Sequence, residues 1–63
     1  MLEEWTGHVV GKMHIHMIPY KVLADELGWN VKYLSAVLND HRKPKDAQEK
    51  IEATLNKIIS NRN

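Results

Sequence analysis

The sequence predicts an all-α fold: a small domain of four helices with a helix-turn-helix at its centre. Three observations carry this. Apolar residues recur at helical spacing in four successive segments, a lone glycine bend separates the middle two, and Pro19, Asn30 and Asp46 stand where helices would begin. With 63 residues the chain forms one domain, 1–63, near the lower limit for a core that holds without staples. There is no cysteine, so neither a disulfide nor a thiolate site can serve as one.

The first helix is expected over about residues 2–16, where Leu2, Trp5, Val9 and Met13 share one face. Gly7 and Gly11 lie roughly opposite that stripe, each costing about 1 kcal/mol relative to alanine. Close approach of another backbone and simple tolerance both account for them. His16 falls where the apolar face would continue and is expected to be half buried. His14 and His16 point to nearly opposite sides of a helix, and adding His8 does not repair that geometry, so no metal site is expected.

Pro19 lacks an N–H and fixes its own φ, which suits the first turn of a second helix over 19–27. Leu23, Ala24 and Leu27 form its apolar face, and small Ala24 lets a following helix cross closely. Gly28 sits just past the end, where a left-handed residue is favoured and glycine adopts that conformation without a Cβ penalty. Asn30 then offers a side-chain oxygen to the N–H groups opening a third helix over 31–39, whose buried stripe is Leu34, Val37 and Leu38.

After the polar exit Asn39, Asp40 and His41 comes a basic connector, Arg42 to Lys45, broken by Pro44. Asp46 and Glu49 match the capping-box spacing, which starts a fourth helix over 46–60 built on Ile51, Leu55, Ile58 and Ile59. Ile58 and Ile59 exceed what so small a monomer is expected to bury, and that surplus hints at a dimer contact.

Net charge is only +1, but its distribution is uneven. Glu3, Glu4, Asp25 and Glu26 load the first half, whereas Lys32, His41, Arg42, Lys43 and Lys45 gather on and after the third helix. That is the side a DNA-reading surface would occupy. No apolar run approaches the roughly 18 residues of a membrane span, and the acidic N-terminus lacks the layout of a secretory signal. A soluble, cytoplasmic protein is expected, without a membrane partner. The only serines are Ser35 and Ser60, and no glycine-rich phosphate loop is present, which argues against an enzyme, a cofactor or a small-molecule substrate.

The run LADELGWNVKYLSAVLNDHRKP, Leu23 to Pro44, resembles the helix-turn-helix of the phage repressor and Cro superfamily. Members of that lambda-repressor-like group carry leucine-alanine, leucine-glycine, an apolar-serine unit and an asparagine-glycine-basic-basic-proline exit. Weaker similarity extends over WTGHVVGKMH to small repressor-like proteins of phages and mobile elements. The chain departs from the pattern at Pro19, where a serine or threonine cap is usual, at Tyr20 in place of glutamine, and at Asp40 in place of glycine.

The resemblance implies a transcriptional regulator that reads double-stranded DNA with helix 31–39 in the major groove. Asn30, Val31, Lys32, Ser35, Ala36 and Asn39 would then face base edges. Lys32 would donate to guanine O6 and N7, Asn39 would pair bidentately with adenine, and Val31 or Ala36 would touch a thymine methyl. Tyr20, Lys21, His41, Arg42 and Lys43 would contact phosphates, while Tyr33 would pack beside the turn or lie along a sugar-phosphate strand. A homodimer, formed in solution through the first or fourth helix or only on DNA, would span two half-sites. The competing expectation is a helix-turn-helix turned to protein interaction, as in an antirepressor or assembly factor.

Overall fold

A computed structural model describes residues 4–62, and these form α1 (Glu4–Ile15), α2 (Tyr20–Leu27), α3 (Val31–Leu38) and α4 (Ala47–Asn61), with no strand among them. Leu2, assigned by its spacing to the first apolar face, lies outside the described residues.

Each helix buries one stripe. Thr6, Val9 and Met13 from α1, Leu23 and Ala24 from α2, Leu34, Val37 and Leu38 from α3, and Ala47, Ile51, Leu55 and Ile58 from α4 close a single core, joined by Ile18 from the first joint. Trp5, Tyr20, Val22, Leu27, Trp29 and Ile59 pack around it, half buried. α2 lies between α3 and α4, and α1 covers α4 and part of α3. Ala24 is wholly inaccessible, as a close crossing of α2 by its neighbours requires. No buried side-chain nitrogen or oxygen among the described residues lacks a hydrogen-bond partner.

The first three helices end in the same way. An N–H two or three residues beyond the end bonds to the carbonyl five residues back, from Ile18 to Met13 O, Trp29 to Ala24 O and His41 to Ala36 O, each at 2.8 Å. The preceding N–H bonds to the next carbonyl along, from Met17 to His14 O at 3.1 Å, Gly28 to Asp25 O at 3.2 Å and Asp40 to Val37 O at 3.2 Å. This is the Schellman closure, and it places Met17, Gly28 and Asp40 in the left-handed region with φ of 56°, 75° and 66°. Only the middle one is glycine.

Several expectations from sequence are corrected. His16 is exposed, because α1 stops at Ile15, the chain reverses at Met17, and Ile18 takes the next core position instead. Pro19 caps α2 from outside, so the helix opens at Tyr20. Asp46 makes no side-chain cap bond; its φ of 62° turns the carboxyl away from the capping geometry, and α4 begins at Ala47. Ile58 is buried and Ile59 packs against the core, so the apolar surplus assigned to α4 is absorbed by the monomer. A Cβ on Gly7 or Gly11 would meet nothing within 4 Å, which leaves tolerance as the account of both.

Two polar contacts fasten the C-terminal helix to the first. Lys12 Nζ donates to Asn56 Oδ1 at 3.0 Å, and the Arg62 guanidinium donates to the backbone oxygen of His16 at 3.0 Å. The second satisfies a carbonyl just past α1 that no helical N–H can reach.

Candidate nucleic-acid interface

With 3.6 residues per turn, the buried stripe of α3 leaves Lys32, Ala36 and Asn39 on the opposite side, with Ser35 at its edge. Lys32 and Asn39 are exposed, and the smaller Ser35 and Ala36 are half buried between them. α4 packs on α2 and α1, so it does not wall off this side. The face is open because the Gly28 bend and the Asn30 cap launch α3 across α2. Asn30 Oδ1 accepts from the Lys32 N–H at 2.7 Å, satisfying a donor that the first helical turn leaves over.

Of the residues assigned to base contact, Lys32, Ala36 and Asn39 share this side and Ser35 borders it, while Asn30 and Val31 are exposed at the start of the helix. Asn39 is less free than its sequence position implies. Its Nδ2 donates to the Ser35 backbone oxygen at 2.8 Å and to Ser35 Oγ at 3.3 Å, so a bidentate pairing with adenine would first have to break these bonds.

The residues assigned to phosphate contact divide. His41 and Arg42 are exposed beside the C-terminal end of α3, and Arg42 makes no ion pair with another described residue. Lys43 lies 3.5 Å from the Asp40 carboxylate, whose side chain is only 20% exposed. Lys21 pairs with Asp25 one turn on, at 3.5 Å, with both groups well solvated; such a pair is weak and easily exchanged for another anion. Tyr20 is half buried against the core. Tyr33 stands edge-on to Trp29, ring centroids 5.0 Å apart at 80°, so of its two sequence-based placements the structure shows packing beside the turn.

Periodicity alone does not single out Trp29. It follows Gly28 at the position of the Schellman closure that commonly makes an apolar contact back onto the helix, and that signal was available in the Leu27-Gly28-Trp29 order. Among the described residues, no three His, Cys, Asp or Glu side chains come together as metal ligands, and no helix is long and apolar enough to cross a membrane.

Comparison with known proteins finds no family model, no curated protein and no solved structure that matches this chain.

Proposed function

We propose that this chain is a sequence-specific double-stranded DNA-binding regulator of the phage repressor and Cro type, with α2 and α3 acting as its helix-turn-helix in a lambda-repressor-like arrangement. One observation carries the reading: the polar side of α3 stands open to solvent, and the exposed cations Lys32, Arg42 and Lys43 lie on it and at its exit. A helix held in this way fits the major groove, its side chains reaching base edges while the basic exit meets the phosphates on one flank. A single such helix offers little contact area, so the functional unit is a homodimer spanning two half-sites, assembled in solution or on the DNA, in the cytoplasm.

Binding to random and promoter-derived duplexes, measured by fluorescence anisotropy across a salt series, tests the proposal. Affinity should fall steeply with salt, Lys32→Ala should alter site preference, and Arg42→Ala should weaken all sites alike and reduce the salt slope by about one. Absence of binding to any duplex at low salt would overturn it.

The second reading, a helix-turn-helix domain used for protein interaction, draws on different features. Ile15 and Met17 are 75% and 82% exposed at the end of α1, and the net charge is only +1. The same salt series separates the two readings, since an apolar protein contact would hold or tighten as salt rises.

A further inference from the structure

Asparagine and serine can each donate or accept, so a surface carrying them has no fixed code until something within the protein occupies one half of each group. At the two asparagines that flank α3 the protein's own hydrogen bonds do this. Asn30 Oδ1 is taken by the Lys32 N–H at 2.7 Å, which leaves Nδ2, a donor, on the outside. Ser35 Oγ accepts from Asn39 at 3.3 Å, which leaves it a hydrogen to donate and one lone pair to accept, so Ser35 itself stays of either sense. Asn39 bonds through Nδ2 to the Ser35 backbone oxygen at 2.8 Å. A carbonyl oxygen has no hydrogen, so the nitrogen of the Asn39 amide must face it and Oδ1 must face away. Lys32 can only donate. Asp40, the neighbouring acceptor, is held by Lys43 at 3.5 Å and is mostly covered.

Resting on the DNA-binding reading above, we infer that the ends of α3 carry a polarised code, donors at Asn30 and Lys32 where it begins and an amide acceptor, Asn39 Oδ1, where it ends. In the major groove, donors match the O6 and N7 of guanine, whereas an acceptor matches an exocyclic amino group, N4 of cytosine or N6 of adenine. Lys32 and Asn39 are seven residues apart on the chain. At 1.5 Å per residue that is about 10 Å, or about three base-pair steps of 3.4 Å. Each half-site therefore contains a guanine facing Lys32 and, about three base pairs away, a cytosine or adenine that presents its amino group to Asn39. Asn39 is the specificity residue at that second position, and it reads the amino group alone rather than adenine in bidentate fashion.

The test begins with selection of bound duplexes from a random pool by the wild-type protein, followed by base analogues at the position paired with Asn39. If adenine is enriched there, purine lacking the 6-amino group should weaken binding about five- to tenfold, while 7-deazaadenine, which lacks the N7 acceptor, should bind as adenine does. If cytosine is enriched, the analogue lacking the 4-amino group should weaken binding by the same factor. In either case Asn39→Ala should erase the preference at that base pair and leave the guanine preference intact. An equal loss with 7-deazaadenine, no loss on deleting the amino group, or an enriched site without this spacing would each overturn the inference while leaving DNA binding in place. Failure to retain any duplex at low salt would overturn both together.

Discussion

The bend after α2 and the exit after α3 are closed by the same two backbone hydrogen bonds, at matching lengths, yet they hold different residues at the left-handed position. Gly28 occupies the first and Asp40 the second. The following side chains differ as well: Trp29 folds back onto the core and meets Tyr33, whereas His41 remains in solvent. Where the closure sets the crossing of two helices, the residue without a Cβ penalty is present and an apolar side chain locks it. Where it sets only the direction of the basic connector, the chain tolerates an L-residue in a costly conformation and leaves a charged segment outside. The contrast separates a joint that specifies the fold from one that presents a surface.

The crossing should be the more sensitive of the two regions. Ala24 is fully enclosed at the α2 crossing and also supplies the carbonyl that receives Trp29. Ala24→Leu should therefore cost about 3 kcal/mol in chemical denaturation, at the upper end for overpacking, because both α3 and the bend must shift to make room. If the variant loses less than about 1 kcal/mol, the crossing is looser than these contacts imply.

Substituting the left-handed residues themselves tests the comparison directly. Gly28→Ala should destabilise by about 1 kcal/mol, since alanine gains nothing in that region and acquires the Cβ clash. Asp40→Gly should move the other way, raising stability by about 0.5 kcal/mol after allowance for the greater entropy of glycine in the unfolded chain. On the DNA-binding reading it should also tighten binding to every duplex, because a carboxylate beside the basic exit is removed. Paired melts of the two variants give opposite signs if the closures are equivalent in geometry. Two losses would mean that Asp40 contributes more through Lys43 than its backbone costs.

The same distinction explains what the sequence made legible. Helix existence and the core faces of α2 and α3 follow from apolar spacing, because Leu23, Ala24, Leu34, Val37 and Leu38 repeat at helical intervals and all are buried. The Gly28 bend was legible because glycine marks the left-handed region in sequence. Met17, Asp40 and Asp46 adopt that region without such a marker, so the exposure of His16 and the loss of the Asp46 cap were hidden. Ile58 was misjudged for another reason: helical spacing gives the face a residue lies on, but not how much neighbouring surface is available to cover it. Which half of the Asn39 amide faces outward depends on a bond to Ser35, a matter of side-chain orientation that residue identity does not encode.

Effects no larger than these should appear at the starts of α3 and α4, where a real cap and an apparent one can be compared. Asn30 accepts the Lys32 N–H at 2.7 Å from an extended backbone, so Asn30→Ala should lose about 1 kcal/mol, a typical value for removing a side-chain cap. Asp46 has the same sequence credentials but a φ of 62° and no cap bond. Replacing a true aspartate cap by glycine costs a few tenths of a kcal/mol, whereas relieving a left-handed aspartate gains a similar amount. Asp46→Gly should therefore be neutral to slightly stabilising in a thermal melt, by up to about 0.5 kcal/mol. A loss approaching that of Asn30→Ala would show that the Asp46 carboxylate supports the opening of α4 through its charge near the positive end of the helix dipole, an effect of up to about 1 kcal/mol that salt would screen. Repeating the melt at high salt would then distinguish that electrostatic contribution from a hydrogen-bonded cap.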